Sequence, residues 1–75
     1  MVTPPLNMHS ARMALNQDPT LRQWAEAWLK EKERDDNPTM TDQEFEKHWL
    51  YVRPERMHEQ AINAVAAYKQ RLEEH

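Results

Sequence analysis

Residues 40–54 read Met-Thr-Asp-Gln-Glu-Phe-Glu-Lys-His-Trp-Leu-Tyr-Val-Arg-Pro, and several local rules agree on where a helix begins in this stretch. Thr41 is an N-cap residue with Glu44 three positions on, the Thr-x-x-Glu spacing of a capping box. Met40 precedes the cap and Phe45 follows the box, so the two are placed to close a hydrophobic staple over it. Asp42, Glu44 and Glu46 put negative charge at the positive end of the helix dipole. Phe45, Trp49 and Val52 recur at i, i+4 and i+7, which makes one face apolar, and Leu50 widens that face. Pro54 removes a backbone donor and crowds the carbonyl of Leu50, so the spacing predicts a helix over 42–53 that turns a corner at Pro54.

Working outward, Pro54 is acceptable as the first residue of a second helix, expected over 54–74. Its stripe is Met57, Ala61, Ala64, Val65, Tyr68 and Leu72, flanked by Ile62 and Ala66. Alanines at 61, 64, 66 and 67 allow another helix to approach closely. On the other side, Asp18 caps and Pro19 opens a helix expected over 19–34, with Leu21, Trp24, Ala25, Trp28 and Leu29 inward. Arg22, Glu26, Lys30 and Arg34 follow its polar side at steps of four. From Lys30 to Asp36 every residue is charged, which reads as a solvated helix end or an electrostatic docking strip. Residues 35–39 are expected to form a loop. A short helix over 8–16 is expected behind the cap Asn7, and residues 1–6, with Pro4 and Pro5, read as a flexible arm. The expected fold class is all-α: one domain over 1–75, a small bundle of three main helices plus a short N-terminal one.

Composition narrows the function. The chain has 75 residues and neither cysteine nor glycine. Without cysteine there are no disulfides or thiolate metal sites, so an intracellular, cytoplasmic protein is expected. Phosphate-cradling loops and nucleophile elbows depend on glycine, and tight turns must here be made by Asn16 to Pro19 and Asp35 to Pro38. No stretch is long and apolar enough to suggest a membrane span. Ten Lys and Arg stand against 13 Asp and Glu, a net charge of −3, and both signs are spread along the chain. A nucleic-acid binder relies on a basic footprint, so direct DNA or RNA binding is disfavoured. The connection at 35–39 is also long for a helix-turn-helix, and the helix after it is acidic.

No catalytic or cofactor-binding constellation emerges. The carboxylates fall on solvated faces or caps, Ser10 is the only serine, and the expectation is a protein that is not an enzyme. His9, His48, His58 and His75 lack ligand spacing, Glu44 with His48 at i, i+4 excepted, and no metal site is expected. Trp24, Trp28, Phe45 and Trp49 are read as core, because aromatics bury large areas. Tyr51 lies off that face and is the best interface anchor, as Tyr and Trp are frequent binding hot spots. Leu50, Tyr51, Arg53, Arg56, Ile62 and Ala66 make up the expected partner-binding set. The stripe over 57–72 with Ile62 also offers more apolar surface than one small bundle readily covers, so a homodimer is among the expected associations.

From Thr41 onward, the Thr-Asp-Gln-Glu-Phe helix start, Trp49 and Tyr51, and the second helix ending Tyr68-Lys-Gln-Arg loosely resemble the small helical modulators of nucleoid proteins, the haemolysin-expression-modulator type. The resemblance covers about half the chain and implies a fold-level analogy only. The expected function is a non-catalytic protein-binding module, a small accessory, inhibitor or modulator occupying a surface of a larger intracellular protein. The alternative is a transcription or nucleoid-associated regulator that acts on DNA through a DNA-binding partner or as a dimer.

Overall fold

The computed structural model describes residues 7–74, and the arm expected over 1–6 lies outside them. The described chain is all-α and contains no strand: α1 (Met8–Gln17), α2 (Pro19–Asp36), α3 (Asp42–Glu59) and α4 (Ala61–Glu73).

Three helix starts follow from their caps. The Asn7 side chain accepts from the Ser10 amide at 2.8 Å. Asp18 ends α1 and starts α2, its carboxylate accepting from the amides of Thr20 and Leu21 while its own amide donates to the Ala14 carbonyl. Thr41 and Glu44 complete the capping box at 3.2 Å, the Glu44 amide donating to the Thr41 hydroxyl and the Thr41 amide to the Glu44 carboxylate, and hydrogen bonding by the Thr41 side chain and then its backbone holds the Glu44 carboxyl below its ordinary pKa. With no glycine to supply a left-handed C-cap, no described residue has positive φ. Asn37 ends α2 instead, its side chain donating to the Glu33 carbonyl at 2.8 Å.

Pro54 does not turn the chain. It lies inside α3, which runs on to Glu59, and the break falls at Gln60, where φ −101° and ψ 15° leave the helical region. The physical reason is local: Leu50 and Pro54 both lie on the exposed side of α3, where water can take the carbonyl that proline leaves without a donor. The stop at Gln60 is held from outside the helix, since Arg12 of α1 donates to the His58 carbonyl at 3.2 Å. Pro54→Ala is therefore expected to stabilise the fold by about 1 kcal/mol, the restored hydrogen bond outweighing the looser unfolded chain. A lowered thermal midpoint would show instead that the proline is needed to shape α3.

The buried face of α2 is Leu21, Ala25, Leu29 and Glu33, and this helix packs against all three others. Against it α3 turns Phe45, Trp49 and Val52, and α4 turns Ala61, Ala64 and Val65, while α1 adds Ala11 and Leu15. Ala11, Ala25, Ala61 and Ala64 are each fully buried, so α1, α2 and α4 meet closely where no side chain extends beyond Cβ. The short α1 is thus an integral wall of the core. Trp24 and Trp28 are only half-buried, because the 21–25–29–33 row centres the buried face one step around the helix from them. They stack at 6.0 Å on the flank, with Tyr68 edge-on to Trp24 at 5.3 Å and Lys32 over Trp28 at 4.4 Å. Leu72 departs from the inward stripe and is exposed.

The charged end of α2 does not fray. The helix continues to Asp36, and its polar side pairs across to α3 rather than along itself: Glu26 with Arg53 at 2.9 Å, Lys30 with Glu46 at 2.8 Å, Arg34 with Asp42 at 3.2 Å. Rising numbers on α2 meet falling numbers on α3, so the two helices form an antiparallel hairpin.

Candidate functional site

Two surface features stand out once this frame is built, and both lie on the side of α3 that the core leaves free. The first is apolar. Tyr51 is 85% exposed and Leu50 63% exposed, adjacent residues on a helix whose inward Phe45, Trp49 and Val52 are buried. One helical step separates Trp49 in the core from Leu50 in water.

The second is a cleft of about 590 Å³ at the junction of α1, α2 and α3. Leu15, Pro54 and Met57 give it apolar walls, and Arg12, Arg22, Arg53 and His58 face it from three helices, with Asn16 and Glu26. Arg12 is fixed by its bond to the His58 carbonyl, and Arg53 by Glu26. Arg22 has no ion-pair partner among the described residues. Three arginines therefore line the cleft with one carboxylate residue, in a chain whose net charge is −3. Such a cleft can hold a carboxylate or another anion, Arg offering paired donors in a fixed plane.

A third cluster is internal. The Glu33 carboxylate, in a residue 7% exposed, accepts from Arg56 Nε at 2.9 Å and from His48 Nε2 at 2.9 Å, and Asn37 donates to it at 3.2 Å. A carboxylate can only accept, so Nε2 of His48 is the donor in this bond. The His48 and Arg56 hydrogen bonds, in that order, outweigh burial and hold Glu33 below its ordinary pKa. Arg56 is in turn held more firmly protonated by Glu33.

The residues of the expected partner-binding set are not all placed alike. Leu50 and Tyr51 are free on the outer face, and Arg53 is exposed but paired with Glu26. Arg56 is half-buried on Glu33. Ile62 packs partly against the core, and Ala66 is exposed on α4 beyond the Gln60 break. The Glu44–His48 pairing that spacing allows is not made, since Glu44 serves the capping box and His48 turns to Glu33. Among the described residues no group of three or more metal-ligating side chains is gathered. His75 lies outside them.

Comparison with protein-family models, curated proteins and solved structures found no match. The site therefore rests on its own geometry. The sequence did not show the basic cleft, because Arg12, Arg22 and Arg53 sit on separate helices and each reads alone as a solvated charge. The one available signal was that Arg53 falls on the same side of α3 as Leu50.

Proposed function

We propose that this chain is a non-catalytic protein-binding module of the cytoplasm, an accessory or modulator that occupies a surface of a larger protein with the outer face of α3. The observation that carries the reading is the exposed Leu50–Tyr51 pair on a helix otherwise anchored in the core. Because Phe45, Trp49 and Val52 hold α3 from behind, the pair is presented on a rigid element and little order need be gained on binding. Covering Leu50 would release about 1.5–3 kcal/mol, and Tyr51 adds a large amphipathic ring at low entropic cost.

The test is affinity capture with the full chain from native lysate after nuclease treatment, wild type beside Tyr51→Ala. The variant is expected to lose the captured protein while its thermal midpoint changes by no more than about 0.5 kcal/mol equivalent, as for an exposed side chain. Undiminished capture by the variant, or capture abolished by the nuclease, would overturn the reading.

A further inference from the structure

Leu50, Pro54 and His58 follow one another at steps of four along α3, with Arg53 beside them, so the exposed apolar pair and the basic cleft share one helix face. From Tyr51 to His58 the face runs about 10 Å, two turns of helix. An apolar anchor thus lies one turn from Pro54, at the near edge of a pocket lined by Arg12, Arg22, Arg53 and Glu26. We infer that the cleft between α1, α2 and α3 binds a carboxylate-bearing segment of a partner protein, an Asp- or Glu-containing stretch whose acidic side chains enter between the three guanidiniums.

Charge and shape carry the assignment. Glu26 neutralises Arg53 at 2.9 Å, which leaves Arg12 and Arg22 with unspent charge at the rim, while Leu15 and Met57 supply walls on which the aliphatic stem of an acidic residue can lie. Arg12 is oriented in advance, since one of its donors is already committed to the His58 carbonyl. The cleft is short and local and opens on a chain of net charge −3, a field that repels an extended polyanion beyond the cleft itself. An acidic protein segment meets that condition and a nucleic-acid strand does not.

The inference rests on the protein-binding reading of α3, and one titration separates the two. The uniformly ¹⁵N-labelled full chain is titrated with a blocked peptide carrying one leucine and three glutamates, with the same peptide bearing glutamines in place of the glutamates, and with a single-stranded oligodeoxynucleotide of similar length. Arginine Nε–Hε signals report the cleft and the backbone amides of Leu50 and Tyr51 report the apolar pair. The glutamate peptide is expected to shift the Arg12, Arg22 and Arg53 signals saturably and the glutamine peptide to leave them unmoved. Arg22→Glu, at an exposed position without an ion-pair partner among the described residues, is expected to weaken the response at least about fivefold with helicity unchanged. Silent arginine signals, or a stronger response of the same signals to the oligonucleotide, would overturn the inference. If the Leu50 and Tyr51 amides move while the arginines stay silent, the cleft assignment fails and the docking face stands. If the arginines move alone, the cleft stands and the apolar pair is no anchor.

Discussion

Trp49→Ala is expected to leave the chain unfolded at 25 °C. Trp49 is 4% exposed, lies between Phe45 and Val52 on the inner face of α3, and belongs to the same buried cluster as Leu29 of α2. Truncating a buried tryptophan costs about 3–5 kcal/mol through lost transfer energy and the cavity left behind. A chain of this size gains little more than about 3–5 kcal/mol from its whole core, and without cysteine no covalent staple makes up the difference. Far-UV circular dichroism should therefore show the helical signal of the wild type collapse in the variant. A variant that melts cooperatively within a few degrees of the wild type would place Trp49 outside the core.

Glu33→Ala is the second large effect, expected to cost about 2–3 kcal/mol. The value sits below that for breaking a fully buried ion pair because Arg56 and His48 are partly exposed and can turn to water once the carboxylate is gone. The substitution also removes the side-chain acceptor for Asn37 at the end of α2. The same carboxylate makes stability depend on pH. Its folded pKa lies below the ordinary 4.5, so the unfolded chain takes up the proton more readily. Its contribution is full above about pH 4.5 and is lost as the pH falls further, through the folded value. Urea unfolding of wild type and Glu33→Gln at pH 7 and pH 3.5 is expected to show a larger loss on acidification for the wild type. Equal losses would mean that Glu33 does not link protonation to folding.

The parts of the fold written in short-range chemistry are legible in the sequence. Asn7, Asp18 and Thr41 cap the helices that their spacing announces, and the inward rows of α2 and α3 follow helical period. What the sequence does not show depends on partners distant along the chain. Pro54 has the form of a helix stop, yet proline only raises the cost of continuing, and on a wet face that cost is met. The real stop at Gln60 carries no strong local signal and draws on Arg12, some 46 positions from the carbonyl it caps. Glu33 sits in an unbroken charged run and is buried only because His48 and Arg56 come to it from α3. Of the candidate site, Tyr51 could be singled out because it steps off the Phe45–Trp49–Val52 face. The basic cleft could not, since its arginines converge only after α1, α2 and α3 have packed.

Docking through the outer face of α3 is tested most directly by hydroxyl-radical footprinting of the full chain alone and bound to its captured partner. Four large apolar side chains are exposed among the described residues: Met13 on α1, Leu50 and Tyr51 on α3, and Leu72 on α4. Binding is expected to slow oxidation of Leu50 and Tyr51 several-fold and to leave Leu72 unchanged. Leu50 and Tyr51 oxidised equally fast in the free and bound states, with protection appearing at Leu72 instead, would contradict the account.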